Sequence, residues 1–381
     1  TRMPCVHILH VIDSLALGGA ERMLIDLANA THADGVHSVS VCITRPSANV
    51  ISDLHPEIRV WVLDRKKRFD WRAFYAFAHI VADEKVDLIH THITYNFAFV
   101  ALIRALKLIN APILLHDHLG DAELLEVNKV VPTWLKWWGK YHLAAYVGVY
   151  QKLADGALAA GIPKSKVRVI ENALDLARLN GGGSCNLRAQ FGIPESAPMG
   201  ICVGGIRLAK GIDTLLEAVT LMGGKAPFHL FIVGGDREPA YTARCHQRAL
   251  ASDLRGKVTF WGERSDVPTL LNSVDFAVMP SRSESGPLVL IEYMLAGLPF
   301  VSTTVGGISN RVAAMNLPEF VSPDDPVLLS QALERLVQLP PDERRKRGLK
   351  GKQIAQENFD IRRVLPQWYA VYHDAVRKEL R

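Results

Sequence analysis

Two glutamates in the last third of the chain, Glu284 and Glu292, flank a predicted helix start. The apolar residues 276–279 predict a strand, a loop of small residues follows it, and Pro287 suits the first turn of a helix. A helix that begins after a strand presents unpaired backbone N–H groups at the carboxyl end of the sheet, where open α/β sheets bind anions. The segment therefore predicts an anion site with an acid on either side of it.

The two acids suggest what kind of anion this site accepts. A carboxylate repels a phosphate but accepts hydrogen bonds from hydroxyl groups. A nucleotide sugar carries hydroxyls on both sides of its diphosphate, on the ribose and on the sugar that is transferred. Glu284 and Glu292 therefore match a nucleotide sugar whose diphosphate lies at the helix start. The alternative is that one glutamate caps a loop and the other is solvated or salt-bridged.

Short β-branched runs alternate with helical patterns along the chain, which predicts parallel βαβ units and an α/β fold. Strands are predicted in the first half at residues 6–12, 38–44, 58–63, 87–91, 112–116, 145–149 and 167–170. Strands are predicted in the second half at residues 199–203, 228–233, 257–261, 275–279 and 299–303. The pattern restarts after a glycine-dense segment, which predicts two doubly wound, Rossmann-like domains facing each other across a cleft.

The glycine-dense residues 180–184 mark the predicted hinge. The expected domains are residues 1–175 and residues 185–361, and the last helix, residues 362–381, is expected to pack back on the first domain. That helix carries Trp368, Tyr369 and Tyr372, for which a packing face is the expectation because exposed aromatic stripes are rare.

Composition bounds the class of protein. The chain has 381 residues, half of them apolar, and a net charge of +5, which suits a globular enzyme and does not indicate a nucleic-acid partner. No apolar run is long enough to span a membrane, and the N-terminus enters a strand pattern without a signal-peptide core. Cys5, Cys42 and Cys202 lie in apolar runs and are expected to be buried thiols. We expect a cytoplasmic location, which includes peripheral association with the inner face of a membrane.

Neither half carries the G-x-G-x-x-G fingerprint of a dinucleotide-binding domain. The first strand leads to Gly18 and Gly19, and the first strand of the second half leads to Gly204 and Gly205. Nicotinamide chemistry is therefore disfavoured.

The segment from Glu284 to Glu292 is similar to the E-x7-E signature of the retaining GT4 glycosyltransferases, which share the GT-B fold. Further matches follow in the family's order at residues 18–21, 169–175, 203–204, 210–211, 260–262, 296–299 and 305–307. The resemblance implies retaining transfer of a sugar from a nucleotide-diphosphate sugar to a glycan or lipid-linked acceptor, in bacterial cell-envelope polysaccharide synthesis. It implies no cofactor and no required metal.

The resemblance also assigns roles at the helix start. Glu292 would bind the donor ribose hydroxyls and Glu284 the hydroxyls of the transferred sugar. The diphosphate would lie at the helix start, on the backbone amides of Leu288 and Val289. Gly286 and Pro287 lead into that helix and complete the donor-binding segment.

Other donor contacts are implied outside the helix start. Lys210 would neutralise the diphosphate as a point charge and assist its departure. Gly18 and Gly19 would let the first loop approach the donor phosphate and the acceptor closely. Arg264 lies where the family cradles the base.

The chain departs from the family pattern near Lys210. The family has arginine where Gly205 stands, and Arg207 follows two residues later. A guanidinium can bind phosphate oxygens bidentately, so Arg207 is expected to supply the displaced charge. The family also has glycine where Pro287 stands, and the proline removes one backbone N–H from the anion site.

The resemblance further implies a histidine beside the reacting sugar. Two H-x-H pairs compete, His90 with His92 and His116 with His118, and the spacing from Pro112 favours His118. Metal binding by these pairs is not expected, because they lack carboxylate ligands. His92 and His116 are expected to be ordinary polar histidines at strand ends.

Two basic and aromatic segments in the first half bear on the acceptor. Residues 65–69 and residues 134–141 interleave Lys and Arg with aromatic side chains, as a surface resting on an anionic membrane does. The alternative is that the tryptophans pack into the domain and the lysines are solvated.

Two other functions remain open on this pattern. One is a GT-B nucleotide-sugar epimerase or a phosphorylase-like enzyme, and the other is a binding module that keeps the fold without catalysis. The presence of Glu284, Glu292 and Lys210 together disfavours a non-catalytic binding module.

Overall fold

The computed structural model describes residues 5–47, 50–119, 141–179, 182–224, 227–317 and 319–379. The chain divides into two compact units, Thr1–Asp175 together with Ile361–Arg381, and Leu176–Asp360. Each unit is built on its own parallel β-sheet with helices connecting the strands.

The first unit contains a seven-stranded sheet in the order β3-β2-β1-β4-β5-β6-β7. Its strands are β1 His7–Ile12, β2 Ser38–Ile43, β3 Arg59–Val62, β4 Leu88–His92, β5 Ile113–Asp117, β6 Leu143–Gly148 and β7 Val167–Val169. Its helices in the main part of the unit are α1 Gly19–Asp34, α2 Trp71–Asp83, α3 Thr94–Ala105 and α4 Gln151–Ala159. The strand order reverses between β1 and β4, and this switch point is where open α/β sheets bind ligands.

The second unit contains a six-stranded sheet in the order β10-β9-β8-β11-β12-β13. Its strands are β8 Met199–Val203, β9 His229–Val233, β10 Val258–Gly262, β11 Phe276–Met279, β12 Phe300–Thr303 and β13 Phe320–Val321. Its helices are α5 Leu187–Phe191, α6 Ile212–Met222, α7 Pro239–Ala249, α8 Val267–Leu271, α9 Leu288–Leu295, α10 Gly306–Ala313, α11 Pro326–Gln338 and α12 Pro341–Asn358. Here the switch point lies between β8 and β11.

The last helix, α13 Ile361–Glu379, belongs to the first unit. Trp368 and Tyr372 are fully buried and Tyr369 is half-buried, so the predicted packing face is confirmed. Trp368 and Tyr372 lie against the histidines of β4 and β5. The ring of Trp368 is centred 4.9 Å from that of His90 and 4.5 Å from that of His116, and the ring of Tyr372 is centred 5.7 Å from that of His90.

One prediction about the cysteines is wrong. Cys5 is exposed, because it precedes the first residue of β1 and is not part of the strand. Cys42 and Cys202 are buried as predicted, and burial raises the pKa of the Cys202 thiol to about 12. No helix in the described part of the chain combines the length and the apolar character needed to cross a membrane.

Candidate active site

The loop between β11 and α9 is held in place on both sides. The backbone N–H of Arg282 donates to the carbonyl of Ala209 (2.8 Å), and the hydroxyl of Thr303 donates to the carbonyl of Ser281 (2.7 Å). The Arg282 guanidinium forms ion pairs with Asp213 (2.6 Å) and Asp324 (2.7 Å). The residues that follow this loop are therefore presented on a fixed backbone.

Glu284 is the first functional side chain of this loop. Its Oε1 accepts a 2.5 Å hydrogen bond from Lys210 Nζ and a 2.7 Å hydrogen bond from the hydroxyl of Ser281. The side chains of Glu284 and Lys210 are only 9% and 18% exposed, so the pair is partly shielded from water. The structure thus brings together two of the predicted site residues and adds Ser281 to them.

A glycine makes this approach possible. Gly211 has φ +63°, and a Cβ placed on it would lie 2.2 Å from the carbonyl oxygen of Pro280. Any other residue would push the two loops apart. Lys210 therefore sits next to Glu284 because the residue after it is glycine.

Glu292 lies in the second turn of α9 and has a partner that was not predicted. Its Oε1 is 2.5 Å from Nη2 of Arg178, and the two side chains are 12% and 16% exposed. Arg178 belongs to the short 3₁₀ turn Leu176–Leu179, which opens the second unit. The residues are 114 positions apart, and no local pattern indicates their contact.

The N-terminus of α9 lies between the two acids along the chain. Pro287 is the capping residue with an extended backbone, and Leu288 and Val289 open the helix. The first N–H groups of an α-helix have no intrahelical partner, and together with the helix dipole they favour an anion. Gly286 precedes the cap and is buried. This geometry allows an anion at the helix start, with Glu284 before it and Glu292 after it.

The space around Gly205 is filled by another arginine. A Cβ on Gly205 would lie 2.7 Å from Cγ of Arg237, whose guanidinium pairs with Glu263 at 2.9 Å. Arg207, two residues after Gly205, caps the 3₁₀ turn Leu208–Lys210 and is half-buried. Two arginines therefore lie close to the position at which the family pattern places one.

Arg264 follows β10 and is occupied by local contacts. Its guanidinium binds both carboxylate oxygens of Asp266 (2.9 and 2.7 Å) and lies 4.8 Å above the ring of Trp261. This arrangement fixes the arginine on the surface of β10.

In the first unit, Gly18 and Gly19 stand at the start of α1, in the connection that follows β1. A Cβ on Gly18 would lie 2.3 Å from Oε2 of Glu21, so the glycine leaves room for that carboxylate at the helix start.

His118 lies just after β5, in a cluster with four other histidines. In the sheet, His10 of β1 stands beside His90 of β4, and His92 of β4 stands beside His116 of β5. Side chains two positions apart on a strand share a face, so all four point to the same side, where α13 covers them. Nδ1 of His10 is 3.0 Å from Nε2 of His92, and Nδ1 of His92 is 3.2 Å from Nε2 of His118.

Burial determines the charge of the cluster. It lowers the pKa of His10 and of His118 to about 3 and lowers those of His90, His92 and His116 well below the usual value. The rings are therefore neutral near pH 7. His92 and His116 lie at the ends of β4 and β5 as predicted, and both are fully buried. The reason is that α13 packs directly over the carboxyl ends of β4 and β5.

Ring nitrogens in this cluster come close enough to share an ion. The two groups are His10 with His90 and His92, and His92 with His116 and His118. Neither group contains a carboxylate that would offset the charge of a cation. The expectation of no metal stays a prediction.

The predicted membrane-facing segments are only partly described. Residues 134–140 lie outside the described residues, and Tyr141 is 68% exposed. In the other segment Phe69 is 57% exposed, and Trp71 at the start of α2 is 55% exposed. Basic and aromatic side chains thus share one exposed surface around residues 65–71.

Comparison with known proteins identifies the type of fold. Residues 17–178 match the family model described as Glycosyltransferase Family 4, and residues 197–339 match the model described as Glycosyl transferases group 1. The solved structure of Anabaena HepE in complex with UDP and glucose superposes with a TM-score of 0.76 at 20% identity, covering 96% of this chain and 98% of that one. This likeness confirms the predicted fold class, two parallel-sheet α/β domains of the GT-B type.

Curated relatives are similar over part of their length. N-acetyl-alpha-D-glucosaminyl L-malate synthase of Bacillus anthracis is 25% identical over 227 residues, 57% of this chain and 56% of the relative. Lipopolysaccharide glucosyltransferase WaaG of Escherichia coli is 30% identical over 131 residues, 34% of each chain. The chain thus spans about half or less of the length of these relatives.

Proposed function

The chain belongs to the family 4 glycosyltransferases, and on that basis we propose that it transfers a sugar from a nucleotide-diphosphate sugar to a glycan or lipid-linked acceptor. The observation that carries the proposal is the start of α9, where Glu284 is paired with Lys210 and Glu292 with Arg178. A helix start of this kind suits a diphosphate, and the acids on either side suit the hydroxyls of ribose and sugar.

Each residue then has a distinct task. Glu292 accepts hydrogen bonds from the ribose, and Glu284 accepts them from the transferred sugar. The backbone amides of Leu288 and Val289 bind the diphosphate. Lys210 lies 2.5 Å from Glu284. Its positive charge offsets the negative charge that gathers on the diphosphate when the glycosidic bond breaks.

The proposal includes retention at the anomeric carbon and turnover without a metal ion. Lys210 and the helix start supply positive charge where other enzymes use a metal clamp on the phosphates. In the first unit we assign His118 a contact with the reacting sugar, and Gly18 and Gly19 a close approach to donor and acceptor. In the second unit we assign Arg264 a place near the base.

The acceptor is proposed from the relatives and from the surface of the first unit. WaaG is named as a lipopolysaccharide glucosyltransferase, which supports a cell-envelope glycan as the acceptor. The cytoplasmic side of a membrane is part of our proposal. Phe69 and Trp71 are exposed next to the basic residues 65–68, and such a surface can rest on anionic lipid headgroups.

The membrane part of the proposal has its own test. Sedimentation with anionic vesicles should recover the wild-type protein, and Trp71→Ala should weaken that recovery. Leu250→Ala, which removes a 69% exposed side chain from the second unit, is the matched control. Equal recovery of wild type and Trp71→Ala would refute the proposal that this surface binds anionic membranes.

The reaction is tested by following nucleoside diphosphate release from UDP-, GDP- and ADP-sugars in the presence of lipid-linked acceptors, with the product anomer read by ¹H NMR. We expect release from one donor, retention of configuration and unchanged turnover in EDTA. An inverted anomer, or activity lost in EDTA and restored by magnesium or manganese, would refute the mechanism. Release that depends on inorganic phosphate would point to a phosphorylase-like enzyme instead.

A further inference from the structure

Two histidines and a glutamate come together on the surface of the first unit. His32 lies in the last turn of α1, and His55 and Glu57 lie in the connection between β2 and β3. One ring nitrogen of each histidine and one carboxylate oxygen of Glu57 all lie within 4.8 Å of one another. Imidazole nitrogens and a carboxylate are ligands that zinc accepts, and three protein ligands leave its fourth position to water.

The spacing of these groups suits a shared ion better than a direct hydrogen bond. Nε2 of His32 lies 3.4 Å from Oε2 of Glu57, whereas a charge-assisted N–H···O hydrogen bond is about 2.7–2.9 Å long. Two ligands of a tetrahedral zinc ion, each about 2.0–2.1 Å from the metal, lie about 3.3–3.4 Å apart. The rings of His32 and His55 are centred 4.3 Å apart, so the second histidine is close to the same point. Glu57 also supplies the carboxylate that neither group of buried histidines contains.

The connection that carries His55 and Glu57 has a fixed backbone. The N–H of Ile58 donates to the carbonyl of His55 (2.9 Å), which closes a turn with Pro56 at its second position. Leu54 and Ile58, on either side of the turn, are buried in the same core cluster as apolar residues of α1. Both ligands of this connection therefore start from a backbone that is already in place.

Asn29 attaches the connection to the helix in two directions. Its Nδ2 donates to the carbonyl of Asp53 (2.8 Å), and its Oδ1 accepts from the N–H of His55 (2.8 Å). Residues three apart on a helix are neighbours on its surface, so Asn29 brings His55 to the side of α1 on which His32 stands. Because the backbones are already positioned, the three side chains lose little freedom when they converge on an ion.

His55 has a lone pair on the nitrogen that faces Glu57. Its Nδ1 accepts a hydrogen bond from the N–H of Glu57 that is 3.3 Å long, and an ion bound at Nδ1 has to displace only this weak contact. The side chain of Glu57 is 77% exposed and His55 is exposed as well. Solvent can therefore reach the three side chains and provide both an entry path and the remaining ligand.

We infer that His32, His55 and Glu57 form a zinc site that joins the connection between β2 and β3 to the end of α1. His32 and Gly19 stand at opposite ends of this helix, about 20 Å apart at a rise of about 1.5 Å per residue. Zinc at this site stabilises the first unit and takes no part in the reaction assigned to the glycines and to α9. The inference goes beyond the proposed function and does not depend on it.

Calorimetric titration of metal-stripped wild-type protein with zinc chloride tests the site. We expect one equivalent to bind and, at about 100 times its Kd, to raise the Tm by roughly 5 °C. His55→Gln and Glu57→Gln should each weaken zinc binding by about 10- to 100-fold or more, since loss of an outer-shell partner alone costs that much. His246→Gln is the matched control, because it changes an exposed histidine in the last turn of α7, and it should bind zinc like the wild type.

Magnesium chloride at the same concentration should leave the Tm unchanged, because magnesium prefers oxygen ligands. A wild type that binds no zinc, or whose Tm rises equally with magnesium, would overturn the inference. So would unchanged zinc affinity in His55→Gln or in Glu57→Gln, since the ion would then lie elsewhere. Failure of the proposed function has a different sign, which is the absence of nucleotide-sugar turnover in a protein that binds zinc as expected.

Discussion

Nη2 of Arg178 lies 2.5 Å from Oε1 of Glu292, so the acid proposed to bind the donor ribose is already oriented by a cation from the first turn of the second unit. The pair is mostly buried, and each side chain therefore depends on the other for its charge to be tolerated. Arg178 thus supports the donor site without being part of the E-x7-E segment.

Glu292→Gln should weaken binding of the nucleoside diphosphate by about ten- to a hundredfold, because a hydrogen bond to a charged group contributes roughly 1.5–3 kcal/mol. The ribose is bound equally in the ground and transition states, so kcat should change less than KM. Calorimetric titration measures the first effect and steady-state kinetics the second. The control is Glu319→Gln, which changes another buried glutamate of the second unit that is paired with Arg335 and Arg347. Unaltered nucleotide affinity in Glu292→Gln would show that Glu292 does not bind the donor.

Arg178→Ala should also weaken nucleotide binding, because Glu292 loses the cation that orients it. In the Arg178→Ala/Glu292→Gln double variant, the loss of binding free energy should be smaller than the sum of the losses in the two single variants, since residues in contact are not independent. Additive losses, measured by the same titration, would show that Arg178 and Glu292 act separately.

Glu284→Gln should lower turnover by roughly a hundredfold while leaving nucleotide affinity nearly unchanged, because Glu284 contacts the sugar whose charge changes. Ser281→Ala removes one of the two hydrogen bonds to the same carboxylate oxygen and should have a much smaller effect. Single-turnover kinetics with saturating donor measure both. A Glu284→Gln variant that loses nucleotide affinity and keeps its turnover would reverse the assignment of the two acids.

Arg207→Ala should lower turnover by on the order of 10²-fold, the effect of removing one charge-stabilising donor, and Arg207→Lys should restore part of it. Arg237→Ala is the comparison, because Arg237 fills the space beside Gly205 but is paired with Glu263. Kinetics of the three variants identify which arginine replaces the missing one. Full turnover in Arg207→Ala together with a large loss of turnover in Arg237→Ala would show that Arg237, and not Arg207, replaces the missing arginine.

Stability should fall as the pH decreases through 6.5. The folded chain keeps His10 and His118 neutral down to about pH 3, whereas the unfolded chain protonates them near pH 6.5. The unfolded state therefore binds more protons in this window, and each such proton costs about 1.4 kcal/mol of unfolding free energy per pH unit. Urea titrations at pH 7.5 and 5.5 measure the difference. His116→Phe should reduce it, and His32→Gln, outside the cluster, should not. Equal stability at both pH values would contradict the burial of the histidines.

The strands could be predicted closely, because β-branched runs such as residues 38–44 are long enough to be recognised without context. β13 was not predicted, since Phe320–Val321 is too short to show a pattern. Glu284 and Lys210 could be paired in advance only through the family resemblance, because the contact depends on how closely Gly211 lets two loops approach.

The histidine cluster illustrates what sequence spacing leaves open. An H-x-H pair indicates that His90 and His92 share a face of one strand. That His10 lies beside His90 depends on the strand order β1-β4-β5, and the burial of the group depends on α13 from the other end of the chain. Arg178 was missed for the same reason, because its partner is distant in the sequence.

The central claim is that a nucleoside diphosphate binds at the start of α9 between Glu284 and Glu292. Thermal unfolding of the wild type and of Glu292→Gln with UDP, GDP and ADP tests it most directly, since a ligand at about 100 times its Kd adds roughly 2.7 kcal/mol of stability. We predict that one of the three raises the Tm of the wild type by several degrees and that of Glu292→Gln much less. If none of them shifts the wild-type Tm, or if both proteins shift equally, the claim is contradicted.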